Sequence, residues 1–202
     1  MKKILLSIFV LSATFASAQN NQTNNAKDLN VVSLEISGDV GNNIGIAIEH
    51  AKAQENNDQY KISTVIRAYY VSTKLESDNQ SVKDVNGSGI GLEIGFRTYF
   101  NKEAYKGFYA GSNFTTGTIK FEEDNVYKEN IFGVQDNFSG KYKYLSFFAP
   151  EIGYKFLIAK SVAVNLHVGT SWIIERKGEG DIDNQMFDNW VARAGLSVGY
   201  TF

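Results

Sequence analysis

From residue 189 to the end of the chain, apolar and small or polar residues alternate one by one. Trp190, Ala192, Ala194, Leu196, Val198, Tyr200 and Phe202 share one face, and Val191, Arg193, Gly195, Ser197, Gly199 and Thr201 share the other. A period of two belongs to an extended strand, whose successive side chains point to opposite sides. The pattern recurs. Ile90, Leu92, Ile94, Phe96 and Phe100 oppose Gly89, Gly91, Glu93, Gly95 and Arg97, while Val162, Val164, Leu166, Val168, Trp172 and Ile174 oppose Ala163, Asn165, His167, Gly169 and Glu175. Eight such runs can be drawn, over residues 30–37, 43–53, 59–73, 87–100, 107–122, 141–158, 161–176 and 189–202. Polar, Gly- and Asn-rich connections separate them. Several are longer than the about 5–6 residues usual in soluble sheets, and they reach the about 9–11 that a tilted membrane strand needs. No helical period stands out. The chain predicts an all-β protein, an antiparallel up-and-down β-barrel of eight strands.

The start of the chain sets the compartment. Lys2 and Lys3 precede an apolar run from Ile4 to Leu11, and Ala16, Ser17 and Ala18 form a small-residue cleavage site. This three-part order is that of an export signal, and its apolar run falls short of the about 20 residues of a spanning helix. Residues 1–18 are therefore expected to be a cleaved signal peptide, residues 19–29 a polar, Asn-rich lead-in, and residues 30–202 the barrel domain. The chain has no cysteine, which excludes disulfides and thiolate-held metals. Its formal net charge is -2, or -4 once Lys2 and Lys3 leave, and no basic stretch offers a nucleic-acid footprint.

Alternation alone does not say which face of a barrel looks inward. A soluble lipocalin-like barrel is apolar inside, whereas a membrane barrel is apolar outside. Two features favour the membrane. Aromatics gather near strand ends: Tyr99, Phe100, Phe108, Tyr109, Tyr154, Phe156, Tyr200 and Phe202 toward one rim, Tyr70, Tyr142, Tyr144, Trp172 and Trp190 toward the other. Two girdles of amphipathic rings are expected at two membrane interfaces. The connections also differ: those at 74–86, 123–140 and 177–188 are long and polar, while those at 101–106 and 159–160 are short, as outside loops and periplasmic turns should be. The connection at 38–42 is a short exception. Pro150 interrupts the sixth run, where it cannot donate a ladder hydrogen bond, and predicts a bulge, a bend or a split strand.

The chain ends on Gly199, Tyr200, Thr201 and Phe202. This final strand, with a terminal Phe after alternating aromatic and apolar residues, resembles the assembly signal of small outer-membrane β-barrels of Gram-negative bacteria, the OmpA/OmpX type. It departs from the usual pattern in having Ser197, not glycine, three residues before Tyr200. The resemblance implies an outer-membrane protein whose Tyr200 and Phe202 are read by the barrel assembly machinery, surrounded by outer-membrane lipid and lipopolysaccharide, and acting as a monomer.

An eight-stranded barrel is just wide enough for its own side chains. The face expected inside carries Glu35, Glu49, Glu93 and Glu151 together with Arg67, Arg97, Lys143, Lys155 and Arg193, and His167 lies on the same face of its run. Charges removed from water must be paired or hydrated, so these residues are candidates for a luminal ion-pair network. His50 and His167 lack the partners in sequence that would mark a catalytic or metal site, and no cofactor is expected. The Gly87, Ser88, Gly89 stretch lacks the strand–loop–helix setting of a phosphate loop. Acidic loop residues, Glu122, Glu123, Asp124 and Asp136, then Glu179, Asp181 and Asp183, lack calcium-loop spacing and read as solvated. The expected role is structural or interactive, with outer loops exposed and the lumen filled. A small channel or solute-binding barrel is the alternative, and a lipid-modifying enzyme a further one.

Overall fold

The computed structural model describes residues 29–51, 61–76, 84–101, 105–124, 126, 137–158, 161–183 and 187–202. The expected signal peptide, nearly all of the lead-in and Asp136 of the acidic loop lie outside them. The described residues form nine strands: β1 (Leu29–Gly38), β2 (Asn42–Ala51), β3 (Lys61–Leu75), β4 (Val85–Tyr99), β5 (Gly107–Glu123), β6 (Phe138–Ile158), β7 (Val162–Trp172), β8 (Glu175–Gly180) and β9 (Trp190–Thr201). Each pairs antiparallel with its neighbours, and β9 returns to β1 from Val31↔Thr201 to Gly38↔Ala194, which closes the wall. β7 and β8 are one wall strand with a break at Ile173 and Ile174. Both pair with β6 at one constant offset, from Ile158↔Val162 through Phe148↔Trp172 to Gly140↔Gly180. The backbone stays satisfied through the break, because the Ile173 N–H donates to the Asn189 carbonyl and the Ile174 N–H to the Leu145 carbonyl. The result is a closed eight-stranded barrel. Its terminal rim carries the start of β1 and the end of β9, and its loop rim carries the long connections.

The radial sense decides between the two barrel types. Leu92, Ile94, Phe96, Leu196 and Val198 are all between 44% and 56% exposed on the outer wall, while Glu93, Arg97 and Arg193 beside them are at most 6% exposed. Large apolar side chains cover the outside on every strand but the short β8, from Leu34 and Ile36 on β1 to Trp190 and Tyr200 on β9. A soluble monomer does not carry such a continuous apolar surface, whereas lipid requires it. The protein is a transmembrane barrel, and the lipocalin-like sense is overturned.

Three expectations change in detail. Pro150 neither splits nor ends β6, which runs on as a single strand of 21 residues. The irregularity sits just before it. Asn113 pairs with Ala149 but Thr115 with Ser146, so β6 holds one extra residue there, and Phe147 and Phe148 both face outward in succession. Such a bulge shifts the side-chain phase by one residue. Second, residues 177–180, expected in a loop, extend the wall as β8. Third, the aromatic girdles are thinner than expected. Phe100, Phe108, Phe156 and Tyr200 face out near the terminal rim, and Tyr70, Trp172 and Trp190 near the loop rim, with Trp172 stacked on Trp190 at 5.9 Å. Tyr99, Tyr109, Tyr142 and Tyr144 point into the lumen instead, each at most 2% exposed. Tyr99 and Tyr109 share strand parity with the luminal Arg97 and Gly111, to which they are bound by the two-residue period.

Candidate functional site

Among the described residues, polar chemistry is concentrated in the lumen, which is built in three layers. The middle layer is ionic. Arg67 on β3 reaches four partners: its Nε lies 3.1 Å from a Glu35 carboxylate oxygen, its Nη1 donates to Glu93 and to Asn113 Oδ1 at 3.2 Å, and its Nη2 lies 3.3 Å from Glu151. Arg97 on β4 joins Glu151 at 2.8 Å through Nε and Glu49 at 2.6 Å through Nη1. Lys155 on β6 donates to Glu49, and Arg193 on β9 donates to Glu93. Neutral groups complete the carboxylates. Thr115 donates to Glu93 at 3.0 Å, Asn113 to Glu151 at 3.1 Å, and Ser63 and Tyr99 to Glu49 at 2.5 and 2.6 Å.

Four cations therefore meet four carboxylates, drawn from six strands. All eight are at most 6% exposed. Desolvation of this many charges is tolerated only when each is paired, and the network pairs each by sharing: every carboxylate but Glu35 serves two cations, while Arg97 Nη2 and Arg193 Nη1 are left without a hydrogen-bond partner among the described residues. His167 on β7 lies 4.0 Å from Glu35 through Nε2. Strand alternation is what aims these groups at one another, since each sits on the luminal parity of its own strand.

Lys143 is the exception among the candidates. Its odd parity, shared with Glu151 and Lys155, predicts a place in the lumen. The bulge at Phe147 and Phe148 reverses the parity of the upper half of β6, so Tyr142 and Tyr144 point in and Lys143 points out, where it pairs with Glu179 at 2.6 Å on the outer wall. His50 is outside as well, its Nδ1 2.8 Å from the Asn30 side chain.

Aromatic and aliphatic layers cap the ionic one at both ends. Toward the terminal rim, Val31, Ala51, Tyr99, Tyr105, Tyr109 and Ala163 pack together. Tyr105 comes from the turn after β4, takes a left-handed backbone (φ 66°), and folds its ring back into the lumen edge-on to Tyr99 at 6.0 Å. Its hydroxyl donates to the Leu29 carbonyl. Lys155 sits 4.9 Å from the Tyr105 ring centre and Arg97 4.6 Å from that of Tyr109, so cation–π contacts join this layer to the ionic one. Tyr105 carries no signal in the sequence because it lies in a turn, outside any period. Toward the loop rim, Tyr69, Val71, Val85, Ile119, Phe121, Tyr142 and Tyr144 form the other cap. Glycine makes room for it: Gly91 and Gly117 are register partners, and a Cβ on either would fall within 2.4 Å of the Tyr69 or Tyr144 ring.

Among the described residues, no group of three or more His, Asp or Glu side chains is arranged to hold a metal ion. The terminal Tyr200 lies on the outer wall, 55% exposed, and Phe202 exchanges two backbone hydrogen bonds with Asn30 at 3.0 and 3.1 Å. The final residues are thus stitched to the first strand.

No protein-family model matches this chain. No curated protein sequence matches it either. Solved structures do. A major outer membrane protein from Thermus thermophilus aligns with a TM-score of 0.60 over 88% of this chain and 100% of that chain, at 9% identity. Ail of Yersinia pestis aligns over 87% of this chain and 97% of its own at 15% identity and a TM-score of 0.45. The N-terminal β-barrel domain of Pseudomonas aeruginosa OprF covers the same shares at 9% identity and a TM-score of 0.41. The fold of this chain is that of the small outer-membrane barrels.

Proposed function

We propose that this chain is an outer-membrane barrel with a closed lumen, serving as a membrane-anchored scaffold that holds its loop rim toward a partner or stabilises the membrane itself. The single observation behind this reading is the three-layer filling of the lumen: an aromatic cap, a charge-balanced network and a second cap occupy successive levels. A conducting path needs hydrated space along the axis, and a barrel of eight strands leaves little beyond its side chains. The reading assigns the chain no catalytic step. The apolar wall supports its place in a membrane, and the export signal expected at residues 1–18 supports the outer one. The mature protein should fractionate with outer membranes, resist carbonate extraction, and give no steady current in a planar bilayer. A steady ohmic current from the unaltered protein would overturn the closed-lumen reading, and recovery in the soluble periplasmic fraction would overturn the membrane one.

A second reading, capture of a small apolar solute, draws on the loop-rim mouth. The β1–β2 hairpin turns at residues 39–41, while β3 runs on to Leu75 and β9 extends beyond the Gly38↔Ala194 pair to Trp190. The wall dips there and opens on a mouth of about 770 Å³ whose border is apolar at Val40, Leu75, Val85, Phe138, Phe187 and Val191 and charged at Asp39, Lys74, Glu76 and Asp188. Saturable quenching of Trp190 fluorescence by an apolar probe would favour this use of the mouth. Quenching that rises linearly with probe would favour the scaffold alone.

A further inference from the structure

The outer wall carries a feature that a closed scaffold does not need. Near the loop rim, bulky lipid-facing side chains give way to small ones and return: Ile90 and Leu92 on β4, then Thr116 and Thr118 on β5, then Leu145 on β6. The threonines leave a groove of about 410 Å³ in the wall, and its loop-rim end stops at Lys143 and Lys177. The groove is thus apolar where the wall meets lipid tails and cationic where the apolar band ends.

The charges around that end are unusual for a sheet. Lys143 lies directly opposite Lys177 across β6 and β8, and Lys120 lies directly opposite Lys141 across β5 and β6. Like charges in directly opposed positions destabilise a strand pair. Glu179, directly opposite Lys141, bonds Lys143 at 2.6 Å and Glu122 bonds Lys120 at 2.8 Å, so four lysines in these rows share two carboxylates. Alternation alone would have turned Lys141 and Lys143 inward. The β6 bulge puts them outside, and the break between β7 and β8 keeps Lys177 in register with them. An anion bridging the opposed lysines would turn the repulsion into charge-assisted hydrogen bonds. A second copy of this chain would bring the same lysines and add to the repulsion.

We propose that this groove binds a phosphorylated lipid of the leaflet at the loop rim, with an acyl chain along Thr116 and Thr118 and a phosphate between Lys143 and Lys177. The inference rests on the membrane-barrel reading above. Lysines beside a membrane surface favour anionic lipid by roughly fivefold each.

The test is native mass spectrometry of the full mature barrel, released from detergent with lipid A carrying its phosphates or with the dephosphorylated form. The unaltered protein should retain one phosphorylated lipid and little of the dephosphorylated one. K141Q/K143Q/K177Q should weaken retention on the order of a hundredfold, and Thr118→Leu, which fills the groove, should weaken it with all the lysines in place. Lys74→Gln, which removes a lysine paired with Asp84 outside the groove, should leave it unchanged. Should the triple variant fail to fold, Lys177→Gln alone carries the test, with about a fivefold loss. Equal retention of both lipid forms, or retention unaffected by Lys177→Gln, overturns the proposal. Heat-modifiable migration of the same samples separates the two levels: without it the barrel reading fails, and with it only the lipid site does.

Discussion

β3 and β4 differ from β6 and its partner strand in how faithfully they follow one rule. β3 and β4 pair over fifteen residues without a slip, from Lys61↔Tyr99 to Leu75↔Val85, and the parity of Glu93 and Arg97 holds from end to end. β6 obeys the same rule in two halves that disagree. Below the bulge, Glu151 and Lys155 point in with odd parity; above it, Tyr142 and Tyr144 point in with even parity. The neighbouring strand is irregular at the same height, between Trp172 and Glu175, which is why the β6 pairing keeps one offset on that side. One extra residue, matched by a neighbour, rotates the whole upper β6–β8 hairpin. A period of two is therefore local information. It holds along a strand until a bulge resets it.

The most severe way to break this comparison is to delete Phe147. The upper half of β6 would then carry Lys141 and Lys143 into the lumen, or the lower half would carry Glu151 and Lys155 into lipid. The first buries unpaired cations and turns Tyr142 and Tyr144 out of their cap, the second removes partners from the ionic network, and in either case no heat-modifiable barrel should form. A barrel of unchanged melting temperature would show that the bulge does not set the phase.

Next in size are the regular strands. Glu93→Ala leaves Arg67 and Arg193 short of a partner, and loss of one member of a buried pair costs about 3–5 kcal/mol. Arg97→Ala should act similarly on Glu49 and Glu151. The double variant should cost less than the two single costs together, because residues of one network do not act independently. Urea unfolding in detergent or bilayers reads these values, and additive, negligible effects would place the side chains in water.

The terminal strand gives a smaller and different effect. Replacing Tyr200 and Phe202 by Ala removes two aromatic side chains from the closing strand and its end, not members of the ionic layer. Insertion in cells should slow and degradation rise, while barrel that does form should melt close to the unaltered protein. Unchanged levels of assembled barrel would show that the ending is not read during assembly.

The smallest effect belongs to Lys143→Gln. Strand parity predicts its charge inside, like that of Arg97, but its pair with Glu179 stands on the outer wall, and exposed pairs contribute little. The melting temperature should stay put in phosphate-free detergent. A marked loss would return Lys143 to the lumen and contradict the bulge.

Much of the architecture is legible without coordinates. The strand runs and the gathering of Glu35, Glu49, Arg67, Glu93, Arg97, Glu151, Lys155, His167 and Arg193 on one side of the wall follow from alternation, while the outward sense of Leu92, Ile94 and Phe96 needs the aromatic rims and the unequal loops as well. Parity also places Tyr99 and Tyr109 inside, since each is an even number of residues from a luminal neighbour. Position near a strand end suggests a girdle for them, and parity is the stronger constraint.

What the sequence determined by itself is a set of faces: which side chains on each strand travel together, because the backbone alternates them whatever the surroundings. It could not supply the relations between strands. The phase reversal at Phe147 and Phe148 depends on how β6 meets β5, the union of β7 with β8 on their common pairing with β6, and the inward fold of Tyr105 on the space that Val31, Tyr99 and Tyr109 leave at the rim. The exchange of partners among Arg67, Arg97, Glu93 and Glu151 likewise requires strands far apart in the chain to be held at one height around a common axis. Those are properties of the closed wall, and only closure decides them.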